Sequence, residues 1–356
     1  MQAAAIIVNN FPFPGGKGVT EEAENAVGLG EIRFVRFNEK TASVLLSYEG
    51  ESDVLLVFAN EEILPALSES LAGLTDDFLQ SDESGAGVFT KNGFDIYLSP
   101  YEEEKRRIYY RNVCFPRLKR RGFIRERLVF RGIGCDKKRF DECVKKCAAY
   151  QAEGLGFSYA EQYDDVRMEV TYDAATPKTL LDNVSRVIAG TFSEELYAMD
   201  DTPIEKRLCE LLKVRGRKIS VAESFTGGGV GRRIVSVPGA SEVYFEGLNT
   251  YDGTAKIKRL NVSPYTLNTF GAVSDQTAYE MCAGLLSTGD CGAAISTTGL
   301  AGPKSDNSGL PVGLCFLAAG VDGKIYIARH VFSGTREEIT EKAINHALFW
   351  AYKHLK

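Results

Sequence analysis

The chain has 356 residues, a formal net charge of −6, 44 % hydrophobic residues and 25 % charged residues. That length allows two or three domains, and the balance is that of a globular chain, not a disordered or fibrous one. The acidic charge excludes a global attraction to nucleic acid or anionic membranes, and no apolar run approaches the ~18 residues of a membrane span. The opening QAAAIIV is too short for a secretory leader and lacks its basic start, so a cytoplasmic protein is expected.

Residues 1–118 carry the weakest pattern. GGKG at 15–18 lacks the spacing and the hydroxyl residue of a phosphate loop and reads as a flexible loop. DVLLVFA predicts a buried strand and EEILPALSESLAGL a helix. The basic run RLKRRGFIRER, 117–127, is short in a net acidic chain and reads as a solvated face, not a nucleic-acid strip.

Residues 119–199 predict a small α+β unit. RERLVFRGIG is a strand, DKKRFDECVKKCAAYQ an amphipathic helix and VRMEVTY an alternating strand. A helix opens at Thr176-Pro177 with Leu180, Leu181, Val184 and Ile188 on one face. YAMDDT, 197–202, reads as a linker. Cys143 and Cys147 are four apart on the first of these helices, but none of the eight cysteines forms a CxxC pair. Small buried thiols in a reducing compartment are expected, and no metal site.

Residues 200–356 predict an α/β domain, because strands alternate with helices. Thr202-Pro203-Ile204-Glu205 has the form of a capping box, and Gly216 stops the helix that follows. KISVAES is a strand, then comes a glycine loop, then a helix through VGRRIVSV. VYFEGLNTY is a second strand and GTAKIKRL a short helix after Asp252. Ser274 caps a helix over 275–286. CGAAIST is a third strand, closed by the loop TTGLAGP. Two more strands flank Asp322-Gly323, a hairpin signal. Thr335 to Glu338 is a capping box that opens the last helix.

One stretch, VAESFTGGGVGRR at 221–233, invites chemistry. A strand, several glycines and a helix start can present free backbone N–H groups to an anion. Ser224 stands beside them, as a helix cap or as a nucleophile; Thr226 can fill the capping role instead. Histidine is scarce: His330, His346 and His354 all lie near the C-terminal end. A lysine is therefore the natural base, and Lys256 stands at the next strand-to-helix junction. It needs a pKa lowered to roughly 7–8 to serve.

AESFTGGGVGRR, TYDGTAKIKRLNV, FGAVSDQTA, TTGLAGP, LPVG and SGTREE occur in the order and spacing of the C-terminal domain of the CinA (competence/damage-inducible protein A) family, which this chain resembles over about 200–356. The resemblance implies a nicotinamide-nucleotide amidase that hydrolyses nicotinamide mononucleotide to nicotinic acid mononucleotide and ammonia. It assigns the catalytic serine, tyrosine and lysine to Ser224, Tyr251 and Lys256. Oxyanion and phosphate contacts then fall to Thr226, Gly227, Gly228, Thr298, Gly299, Ala301, Gly302 and Arg336, with no cofactor and no metal. It further implies a homodimer acting on a small nucleotide, with no direct nucleic-acid or membrane partner. Residues 119–199 resemble the family's KH-like domain. Residues 1–118 resemble a degenerate molybdopterin-binding (MoaB/MogA-like) α/β domain without its glycine-rich loop, so pyrophosphatase activity there is expected to be lost. The chain departs from the family at Phe225, where cysteine is usual, at Leu310, where lysine is usual, and in the loop KSDNSG, 304–309. These departures keep open an alternative: a non-catalytic nucleotide- or phosphate-binding accessory protein linked to competence or DNA damage.

Overall fold

A computed structural model describes residues 3–10, 18–20, 23, 26–80, 84–123, 126–150, 154–172, 176–305 and 309–356. Residues 15–17 of the GGKG run and 306–308 of the KSDNSG loop lie outside these. Among the described residues the fold is mixed α/β with three sheets. It divides into two compact units, Met1–Glu126 with Tyr172–Thr176, and Arg127–Thr171 with Pro177–Lys356. The first division falls at 126/127, not 118/119. The expected boundary at 199/200 separates two sheets inside one compact unit.

The first unit holds β1 (Ala3–Asn9), β2 (Leu29–Arg36), α1 (Thr41–Leu46), β3 (Val54–Ala59), α2 (Leu64–Ala72), β4 (Asp77–Gln80), β5 (Gly87–Lys91), β6 (Phe94–Pro100), α3 (Glu103–Tyr109) and α4 (Phe115–Arg120). Its sheet order is β2-β1-β3-β6-β5-β4. The first four strands are parallel and the last two antiparallel. Strands β1, β3 and β6 are buried along their whole length. Continuous apolar runs such as VLLVFA suit that position, since parallel strands are covered on both faces. The basic run is partly paired inside this unit. Arg117 and Arg121 meet the buried Asp95 carboxylate at 3.3 and 2.5 Å, and Lys119 meets Glu126 at 3.2 Å.

The second unit opens with β7 (Glu126–Ile133), α5 (Lys137–Ala148), β8 (Gly156–Gln162), β9 (Asp165–Tyr172), α6 (Lys178–Thr191) and β10 (Leu196–Ala198). The sheet order β10-β7-β9-β8, with β8–β9 and β10–β7 antiparallel, makes this βαββαβ segment ferredoxin-like, not KH-like. The difference comes from two strands that the pattern hides: β8 is only half-buried and β10 has three residues. The expected linker thus begins inside a strand. Tyr197 is buried there, and its hydroxyl donates to Asp165 Oδ1 at 2.9 Å.

The remaining elements are α7 (Ile204–Arg215), β11 (Ile219–Glu223), α8 (Gly229–Val235), β12 (Tyr244–Asn249), α9 (Gly253–Leu260), α10 (Pro264–Thr269), α11 (Asp275–Leu286), β13 (Ala293–Gly299), β14 (Leu314–Val321), β15 (Lys324–Val331) and α12 (Arg336–Leu355). The sheet runs β12-β11-β13-β14-β15, parallel across its first three strands and antiparallel after them. One core packs Leu208, Val230, Ile234 and Ile344 from α7, α8 and α12 against the sheet. A second packs Leu260, Ala278 and Met281 from α9 and α11 with Ala222 of β11.

Local signals explain the ends of these elements. Gly216, at φ 59°, closes α7 in a left-handed cap. The start of α7 differs from expectation: Pro203 is the N-cap and has no side-chain acceptor to cap with, while Asp200 takes the Thr202 N–H at 2.9 Å. Asp322 and Gly323 both have positive φ, as a tight hairpin turn requires. Ser274 caps α11, and the Thr335–Glu338 capping box opens α12. From β11 the chain passes to β12 on one side, then crosses to β13 on the other. The carboxyl ends of β11 and β13 therefore flank a topological switch point, where open α/β sheets bind ligands.

Candidate active site

Ser224 follows the last residue of β11. Its N–H donates to Thr297 O of the neighbouring β13 at 3.1 Å, which fixes the serine at the carboxyl edge. Lys256 lies in α9, the helix after β12, and its side chain is fully buried. Its Nζ lies 3.0 Å from Ser224 Oγ, 2.6 Å from Thr250 O and 3.0 Å from Tyr251 O. Burial pulls the lysine down from its ordinary 10.5 to about 8, and nearby Asp252 opposes only part of that shift. Asp252 is itself held as the cap of α9 by the Thr254 N–H at 2.7 Å.

The hydrogen-bond inventory of this lysine decides what it can do. Thr250 O and Tyr251 O are carbonyls and only accept. In a neutral amine the two N–H groups serve those carbonyls, and the lone pair is left for the Ser224 hydroxyl. In the ammonium form the third N–H points to Ser224 instead. One proton therefore switches Lys256 between hydrogen-bond donor and base towards the same oxygen.

Tyr251 is placed differently from its expected part. Its side chain is 66 % exposed, and among the described residues its phenol makes no hydrogen bond. What it brings to Lys256 is its backbone carbonyl.

The glycine loop also differs from a simple anion cradle. Gly227 N–H donates to Ser224 O at 3.1 Å and Gly229 N–H to Thr226 O at 3.0 Å. The buried Glu223 carboxylate accepts from Gly228, Val230 and Gly231 at 3.1, 3.0 and 2.8 Å. The N–H groups of 227–231 are thus consumed within the turn. Those of Phe225 and Thr226 have no partner among the described residues. Gly227 and Gly228 adopt left-handed φ of 62° and 96°, whereas Gly229 packs close to α12, where a Cβ would lie 2.3 Å from Ile344 Cδ1, the movable end of that side chain. Sequence reasoning missed Glu223. The available signal was an acid closing the strand ISVAE, directly before the serine.

The second loop is also largely occupied. Thr298 Oγ1 donates to Ala272 O at 2.5 Å. Gly299 packs against β14, where a Cβ would meet Cys315 Cβ at 2.6 Å, and Ala301 is buried in the core. Gly302 has φ 78°, and its carbonyl accepts from Arg336 Nη1 at 2.8 Å. Arg336 is exposed at the start of α12, and that bond ties it to this loop. Thr226 Oγ1 lies 2.6 Å from Thr297 Oγ1 and so links the two loops.

Residues 201–355 match the family described as the CinA C-terminal domain. A competence-damage inducible protein of Caldicellulosiruptor saccharolyticus is 34 % identical over 259 residues, 72 % of this chain and 59 % of that protein. One from Clostridium acetobutylicum is 31 % identical over 251 residues, 69 % of this chain and 61 % of that protein.

Residues 201–355 are a CinA C-terminal domain.

The chain spans about three fifths of the length of these curated relatives, whose names state no activity. The crystal structure of a competence/damage inducible protein from Agrobacterium tumefaciens shares 34 % identity. The match covers 41 % of this chain and 90 % of that one, at a TM-score of 0.40. Against the CinA pattern, the departure nearest the serine is Phe225. Its ring is 6 % exposed and belongs to the core beneath the sheet, with Val230, Ile295 and Ile344. Leu310 is half-buried, and its carbonyl accepts from Ser305 Oγ at 2.7 Å.

Proposed function

We propose that this protein is an amidohydrolase that deamidates nicotinamide mononucleotide through Ser224 and Lys256. The observation that carries the reading is the 3.0 Å contact between Ser224 Oγ and a buried lysine nitrogen whose two other contacts are carbonyls. A serine becomes nucleophilic when a base stands within hydrogen-bond reach, and a lysine near pKa 8 is such a base at neutral to alkaline pH.

Neutral Lys256 takes the Ser224 proton as Oγ adds to the carboxamide carbon. The oxyanion is received by the N–H groups of Phe225 and Thr226, the two left unpartnered beside the serine; a single such donor contributes about 10²–10³ in rate. Lys256 then returns the proton to the amide nitrogen, the C–N bond breaks, and ammonia leaves an ester on Ser224. Water attacks that ester, gives its proton to Lys256, and releases the carboxylic acid as Oγ regains a proton. With the 227–231 amides consumed by the turn, the phosphate of the nucleotide falls to Arg336, the exposed cation tied to the second loop. Tyr251, exposed beside the lysine, is assigned to the substrate and not to the proton path.

The test is ammonia release from nicotinamide mononucleotide by the wild type, Ser224→Ala and Lys256→Met. Turnover by the wild type and a loss of at least ~10³-fold in both variants are expected. Nucleotide binding without turnover by the wild type selects the accessory-binding reading instead.

A further inference from the structure

We infer that Glu223 is a positioning residue for the reaction, shaping the turn that presents Ser224 and the two free N–H groups after it. The inference rests on the acyl-transfer reading above and adds a residue that reading does not use. The carboxylate is 2 % exposed and makes no ion pair among the described residues. Its partners are three backbone amides of one turn: Gly228 and Val230 on Oε2, Gly231 on Oε1. A buried carboxylate is costly unless such charge-assisted bonds satisfy it.

The geometry has a consequence for the residues between. Glu223 draws residues 228–231 back onto the end of β11, so residues 224–227 must reverse direction in one tight turn. Gly227 and Gly228 supply the left-handed backbone for that reversal. The far side of the turn is tied to β13 by the 2.6 Å contact between Thr226 and Thr297. Pinned at both ends, the turn leaves the N–H groups of Phe225 and Thr226 without a partner among the described residues. A neutral glutamine cannot reproduce this. It has one acceptor oxygen for three donors on two sides, and its amide N–H₂ would face at least one backbone N–H.

The test uses Glu223→Gln in the full chain, with circular dichroism and melting to fix the folded fraction. We expect kcat for nicotinamide mononucleotide to fall at least ~10-fold with KM changed less than ~3-fold, because an oxyanion contact acts in the transition state. The rise of kcat/KM with pH, set by Lys256, should keep its midpoint. A second readout needs no substrate: the rate at which a fluorophosphonate labels Ser224, with Ser224→Ala as blank, should fall in parallel. A wild type that is labelled but releases no ammonia, with labelling slowed in Glu223→Gln, keeps this inference while the proposed substrate fails. Equal kcat and equal labelling per folded molecule overturn the inference and leave Glu223 a structural residue. A wild type whose serine is not labelled overturns it as well.

Discussion

At the scale of single residues, the proposed reaction turns on one proton. Lys256 must be neutral to act, so kcat/KM should rise about tenfold per pH unit below about 8 and level above it. A pH–rate profile between 6 and 10 checks this; a flat profile removes the lysine from the base role. The same shift has a stability consequence of defined sign. Between about 8 and 10.5 the unfolded lysine holds a proton that the folded one has released. Wild-type stability should therefore rise with pH across that window relative to Lys256→Met, by an amount on the order of 3 kcal/mol in full. Melting curves of the two proteins at pH 7 and pH 10 measure it. If the difference stays constant, the amine is not depressed in the folded state.

At the scale of elements, the four glycines of 227–231 serve different ends. Gly227 and Gly228 supply backbone conformation, and Gly229 and Gly231 supply proximity. Gly229→Ala has an ordinary φ but sets a methyl 2.3 Å from Ile344 Cδ1. It should cost about 1 kcal/mol, because the Ile344 methyl must shift within a packed core and alanine's better helix propensity offsets part of that. Ile344→Val removes that atom, so the double variant should recover part of the loss, which a double-mutant cycle by denaturant unfolding would read. Much of this element was legible beforehand. Strand, loop and helix of 219–235 follow from KISVAES, the glycines and the apolar residues after them, and Asp252, Ser274 and Thr335 announced their helices by capping chemistry. The phosphate-cradle idea could not be corrected from sequence, because the carboxylate that fills the turn is seen only once the chain folds back. Strands β8 and β10 were hidden for a different reason: a half-buried edge strand and a three-residue strand leave little periodicity, so the middle segment's topology was misassigned. Tyr251 shows a third limit, since spacing carries no information on which of a residue's atoms faces a site.

At the scale of the second unit, the ferredoxin-like segment and the sheet bearing the site are joined by polar contacts. The β8–β9 hairpin turns on Tyr163 and Asp164, both left-handed at φ 54° and 63°. Its tip meets α12: Asn345 Nδ2 donates to Tyr163 O at 2.8 Å, and Asp164 Oδ2 lies 3.0 Å from His346 Nε2. Burial raises the Asp164 carboxyl, but His346 and Lys342 outweigh it and hold the group below the usual 3.8. A depressed carboxyl stabilises above its unfolded pKa and loses that contribution as pH falls through the folded value. Asp164→Asn suits the left-handed turn while deleting the charge. It should lower stability by about 1 kcal/mol at pH 7 and by less near pH 3. Calorimetry should also show residues 127–356 melting as one transition; two separated transitions would mean that the two sheets fold independently.

The buried amine has one more consequence, in chemical reactivity. By proton equilibrium Lys256 is readily deprotonated, and a free amine of that kind is the first to be acylated at pH 8. Yet its side chain has no solvent-accessible surface, and two carbonyls hold both N–H groups. Acetic anhydride in excess should therefore modify the exposed lysines and spare Lys256 in the folded protein, and modify it once urea opens the chain. Mass spectrometry of the peptide spanning 252–260 reads both states. The lysine is then a group protected from reagents by the same burial that makes it a base towards its single neighbour.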